Sequence, residues 1–94
     1  MTYDEFILTI ENDEFPSALP LYMQALWYDA KGDWNKAHQI IQNVEDKNAS
    51  ALHAYLHRKE GDIGNADYWY RRAAKKREHI SLEKEWEQIA GALL

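Results

Sequence analysis

The chain has 94 residues, 46% of them hydrophobic and 29% charged, enough for one domain with one modest core. It contains no cysteine, which excludes a disulfide framework, a thiolate metal site and a cysteine nucleophile. The net charge of −5 argues against a general nucleic-acid binder.

That charge is unevenly spread. Residues 1–47 carry nine acids against three bases, a net −6. Residues 48–79 carry four acids and seven bases, a net +3, and residues 80–94 return to −2. The basic middle leaves room for a local anionic partner. Met1 to Glu5 lack the basic and apolar regions of a signal peptide. No apolar run approaches the roughly 18 residues of a membrane span. A soluble cytoplasmic protein with no membrane contact is the expectation.

Start and stop signals predict six helical segments and no strand. Thr2 and Glu5 have capping-box spacing, and Tyr3, Phe6, Ile7 and Ile10 recur at helical intervals, so a flanking helix is predicted over 2–12. Ser17 is the expected cap of the next helix, with Pro20 in its first turn and Leu19, Met23, Leu26 and Ala30 as its stripe. Gly32-Asp33 reads as a helix stop followed by a cap for a third helix bearing Trp34, Ala37, Ile41 and Val44. Asn48 is the expected cap of the helix carrying Leu52, Tyr55 and Leu56. Gly61-Asp62 repeats the turn and opens a fifth helix, predicted over 62–78, with Ile63, Ala66, Tyr70 and Ala73 on one face. Ser81 caps a final helix over 81–93, with Leu82, Trp86, Ile89 and Leu93 inward.

The two Gly-Asp turns belong to an internal repeat offset by 29 residues, with Ala25 matched to Ala54, Ala37 to Ala66 and Ile41 to Tyr70. The units are 17–45 and 48–78. This pattern resembles the tetratricopeptide repeat, through Ala25, Tyr28, Ala37 and Ile41 in the first unit and Ala54, His57, Ala66 and Tyr70 in the second. The spacing is 29 rather than 34, the proline between repeats is missing, and Gln24 and His53 stand where an aliphatic residue is usual. The stretch from His53 to Arg58 and from Tyr68 to Ala73 also looks like a family of small uncharacterised bacterial proteins. The resemblance implies an all-α single domain: a right-handed array of two hairpins between flanking helices. Helices 1 and 6 would cover the apolar faces, and a homodimer would complete the core if they did not.

The same resemblance implies a protein or peptide partner on the inner face of the second and fourth helices. Tyr22, Leu26, Asp29, Tyr55, Arg58 and Lys59 would line it, with Trp69 nearby. Arg58 and Lys59 would hold a partner's carboxylate. The competing expectation is that helix 1 or helix 6 fills this groove. His53 and His57 stand at i, i+4 and share a helix face, so they can grip one metal ion, with His38 or Asp62 as a third ligand. The zinc-protease Glu is missing between them, and packing between helices explains both, so no metal is assigned. Arg71, Arg72, Lys75, Lys76 and Arg77 make the end of helix 62–78 basic, which suits phosphate or RNA. Helix-dipole stabilisation and pairing of Asp67 with Arg71 and Arg72 are the favoured account, given the acidic whole. Glu11, Asp13 and Glu14 read as a solvated loop, and Ser17, Ser50 and Ser81 sit at helix starts. No catalytic or cofactor motif is present, and an interaction module is expected, the alternative being a metal-dependent or small-molecule enzyme using His53 and His57 with Asp62 or Glu60 nearby.

Overall fold

Capping side chains divide the chain into six helices in the computed structural model, which describes all 94 residues. These are α1 (Tyr3–Glu11), α2 (Leu21–Ala30), α3 (Trp34–Ile41), α4 (Lys47–Glu60), α5 (Ile63–Arg72) and α6 (Leu82–Leu93), and there is no strand. Thr2 and Glu5 close α1 with a reciprocal capping box at 3.1 and 2.9 Å. Asp33, Asp62 and Ser81 accept from the amides of Lys36, Asn65 and Lys84 and so start α3, α5 and α6. No helix is long and apolar enough to cross a membrane.

Four boundaries differ from the sequence reading: α3 ends at Ile41 and leaves Val44 outside it, and the other three differ for local reasons. α2 begins at Leu21 behind Pro20, which makes no side-chain cap, while Ser17 lies upstream in a turn. A residue before proline is biased out of the helical region, so Leu19 could not extend α2 back to Ser17. α4 is capped by Asp46, which accepts from Ala49 N at 2.8 Å, and Asn48 is already helical. α5 stops at Arg72 instead of running to 78. Ala74 takes the left-handed conformation at φ +58°, with Lys75 N bonded to Tyr70 O and Ala74 N to Arg71 O. That is the Schellman closure usually made by glycine. Gly32 closes α2 the same way, and Asp13 closes α1 at φ +55°.

Helices α2 and α3 pack as one hairpin and α4 and α5 as another. Ala25, Ala37, Ala54 and Ala66, one on each of these four helices, are all fully buried. The short side chain at each of these positions lets the backbones meet. Phe6, Met23, Leu26, Ile41, Leu52 and Leu56 fill the core between the elements. The nine residues from Ala49 to His57 are all buried, because α4 packs against α2, α3, α5 and α6.

α6 packs against α2 and α4. Trp86 Nε1 donates to Leu26 O at 3.2 Å, and its ring stacks on Phe6 with centroids 6.0 Å apart. Tyr3 meets the same indole edge-on. Glu85 accepts from Arg58 at 2.7 Å and from Tyr70 OH at 2.6 Å, tying α6 to both helices of the second hairpin. α1 is held on its own chain by Phe6 and by Trp27 Nε1, which donates to Thr9 Oγ1 at 3.2 Å.

The left-handed positions separate turn chemistry from packing. A Cβ added at Gly61 (φ +90°) meets nothing within 4 Å, so only backbone strain opposes it. Gly61→Ala is expected to cost about 1 kcal/mol, whereas Ala74→Gly should gain up to about 1 kcal/mol by relieving the same strain. Urea unfolding of the two variants checks the opposite signs.

Candidate functional site

The expected inner-face residues divide into two sets. Leu26 and Tyr55 are buried, and Arg58 is committed to Glu85 and to the Ile80 carbonyl. α6 therefore occupies the part of the face around Leu26 and Arg58, and Arg58 has no free donor fork for a partner's carboxylate. Tyr22 is displaced from the rest and bonds Asp46, which raises its phenol pKa and lowers that of the carboxyl. Trp69 lies on the far side of α4, stacked on His53.

Asp29, Tyr55 and Lys59 remain together. The Asp29 carboxylate is buried and accepts from Tyr55 OH at 2.7 Å and from Lys59 Nζ at 2.9 Å. Burial and the adjacent Asp29 charge raise the Tyr55 pKa strongly, so the phenol stays a donor. These three form the floor of an open groove of about 570 Å³ between α1 and α6. Tyr3, Ile7 and Ile10 of α1 and Leu82 and Trp86 of α6 give it apolar walls. Glu11, Glu83 and Glu87 stand exposed at its rim. The wall residues were legible only as helical stripes. That a groove stays open between the two stripes depends on how α1 and α6 are angled.

The histidines converge on the opposite side. His53 and His57 of α4 meet His38 of α3, one of the two residues considered as a third ligand beside Asp62. The ring centroids lie 4.7 Å apart for His38 and His53, 4.8 Å for His53 and His57, and 5.3 Å for His38 and His57. His38 Nε2 is 3.0 Å from His53 Nε2. Trp34 stacks on His38 and Trp69 on His53, with ring planes within 7° and 17°. Trp34 is itself anchored by donating to Leu56 O at 2.7 Å. Glu60 Oε1 lies 2.6 Å from His57 Nδ1. A carboxylate only accepts, so Nδ1 carries the proton and Nε2 faces the Asn65 amide at 3.3 Å. Trp34 and Asn65 were not expected at the site, because a shell around a site leaves no spacing signature, whereas Glu60 was expected near His53 and His57.

Burial holds the His53 pKa down at about 4, helped by His38 and His57 and by Arg72 of α5. Burial also lowers the His38 pKa, with His57 adding to the effect and Glu60 opposing it.

The basic end of the second unit is split by the early stop of α5. Arg71 and Arg72 lie in the last helical turn, while 75–77 lie in the following loop. The expected pairing of Asp67 with Arg71 and Arg72 is replaced by Arg77, which folds back to Asp67 at 2.9 Å. Arg72 lies over Trp69 at 4.9 Å, and the same indole stacks on His53, so Trp69 is engaged within the chain. Arg71, Lys75 and Lys76 still border a shallow hollow beside Tyr70. The chain matches no protein-family model, no curated protein and no solved structure.

The cluster predicts an acid-sensitive fold. In the unfolded chain His53 protonates near its ordinary value of about 6.5, but in the folded protein only near 4. Its contribution is therefore fully present above about pH 6.5 and is lost as pH falls towards 4, because the unfolded state takes up the proton first. Urea unfolding in chelator at pH 7.5 and 5.0 should show a loss on the order of 1–2 kcal/mol, smaller in His53→Gln.

Proposed function

We propose that the chain is a tetratricopeptide-like interaction module whose partner is an amphipathic protein segment carrying basic residues, bound in the groove between α1 and α6. The observation that carries this reading is the groove itself. It joins an apolar wall of Ile7, Ile10, Leu82 and Trp86 to a rim of Glu11, Glu83 and Glu87, over the polar floor of Asp29, Tyr55 and Lys59. An apolar face on the partner would fill the groove and its Lys or Arg side chains would meet the rim. This is the helix-in-groove mode of peptide recognition. Lys59, the one cation of the lining, is already neutralised by Asp29, so the rim presents net negative charge. The expected recognition of a partner's carboxylate is replaced by its opposite, because both cations that would serve it are bonded within the chain.

Peptide display on the immobilised protein tests this. Selected sequences should combine apolar residues at helical spacing with Lys or Arg, and bind more weakly as salt rises. Ile7→Asp, or Glu83→Lys with Glu87→Lys, should weaken them about tenfold or more, about 1.4 kcal/mol. Selected peptides that bind these variants and the parent alike would place the interaction elsewhere.

A further inference from the structure

His38, His53 and His57 come from two helices and are brought together by tertiary packing. Each offers one ring nitrogen, and the three nitrogens lie within 4.8 Å of one another. Around a tetrahedral ion held at about 2.0–2.1 Å, ligand nitrogens stand about 3.3 Å apart. The 3.0 Å between His38 Nε2 and His53 Nε2 is within a few tenths of an ångström of that edge. His57 is the third corner. Its Nδ1 is taken by Glu60, so its ligating atom would be Nε2, and the Asn65 amide that faces Nε2 at 3.3 Å would turn aside as the ion enters.

We infer that His38, His53 and His57 form a three-imidazole site for one divalent transition-metal ion of the Zn2+ class, with Glu60 as the residue that positions His57.

Three features beyond the triad support this. A carboxylate on the remote ring nitrogen is the usual outer partner of a metal-bound histidine, because it fixes the ring and strengthens the donor. Glu60 has that place on His57. Trp34 and Trp69 stack on His38 and His53 and hold those rings in orientation, so little ordering remains to be done when an ion enters. His38 is the most exposed of the three, which gives the ion an entry path and leaves a fourth position for water or for a partner's side chain. Imidazole donors without thiolate or a carboxylate cage favour Zn2+ and the later first-row metals over Mg2+ and Ca2+. Arg72 lies over Trp69, which stacks on His53, and Glu60 and Asp62 each bring a carboxylate oxygen within 4.8 Å of a His57 ring nitrogen.

The site is separate from the α1–α6 groove, so the two readings stand or fall independently. The test is titration of tag-free, chelator-treated protein with Co2+, read by visible absorption, and with Zn2+, read by calorimetry and thermal melting. The expected result is one equivalent bound at micromolar affinity or tighter, with the intense absorption of tetrahedral Co2+ and a melting temperature raised by several degrees. His38→Gln and, separately, His53→Gln should abolish that spectrum while circular dichroism shows the fold retained. Should one of the two fail to fold, the other decides. Glu60→Gln should keep all three ligands but weaken binding about 10–100-fold. Substitution of the exposed His79 by Gln should change nothing. A wild-type protein without saturable binding overturns the proposal. So does binding that survives His38→Gln, which would be an adventitious ion elsewhere on the chain.

Discussion

Enclosure of α4 is the constraint on which the rest of the structure depends. Nine consecutive residues, from Ala49 to His57, are buried, so this helix has no solvent face over that length. A helix buried on every side is usually apolar all round, yet this stretch includes Ser50, His53, Tyr55 and His57. Each polar group then needs a partner inside the protein, since an unpaired one costs about 1–3 kcal/mol. Tyr55 finds Asp29 on α2, His53 finds His38 on α3, and His57 finds Glu60 one turn further along its own helix. No buried side-chain nitrogen or oxygen is left unpaired. The groove floor and the histidine cluster are thus two consequences of one demand, met on opposite sides of the same helix.

Two hairpins cannot enclose α4 unaided, because each exposes the face that a third would cover. α6 supplies that cover. Glu85 reaches Arg58 and Tyr70, and burial with the Glu85 contact raises the Tyr70 pKa, keeping its hydroxyl a donor. Trp86 adds the apolar part, closing over Leu26 and offering its ring to Phe6 and Tyr3 of α1. The two neighbours of this contact do different work. The ion pair sets where α6 sits along the second hairpin, and the indole sets how α1 leans on it. The space left between α1 and α6 is the open groove.

Charge follows the same division. The cations that could have faced a partner from α4 are held by Glu85 and Asp29. What remains around the groove is the acidic surplus of α1 and α6. The basic surplus lies in the last turn of α5 and the loop after it, where Arg77 turns back to Asp67 and leaves Arg71, Lys75 and Lys76 unpaired at the surface. Acidic and basic regions on so small a body give its surface mixed electrostatic preferences, which the net charge of −5 conceals.

Much of the fold was legible in the residues alone. Capping boxes, Gly-Asp turns and apolar stripes act over three or four positions, so six helices and the paired alanines at 25, 37, 54 and 66 could be read directly. Where a local signal was absent the reading slipped. Nothing marks Ala74 as a left-handed stop, because its conformation is imposed by the closure of α5 and by the chain returning to α6. The candidate sites divide along the same line. The spacing of His53 and His57 on one face is a property of a single helix, and so was visible. The arrival of His38, the stacking of Trp34 and Trp69, and the loss of Arg58 to Glu85 each join residues from different helices. Those encounters are decided by how the helices cross, which is set by the core as a whole and by no run of residues within it.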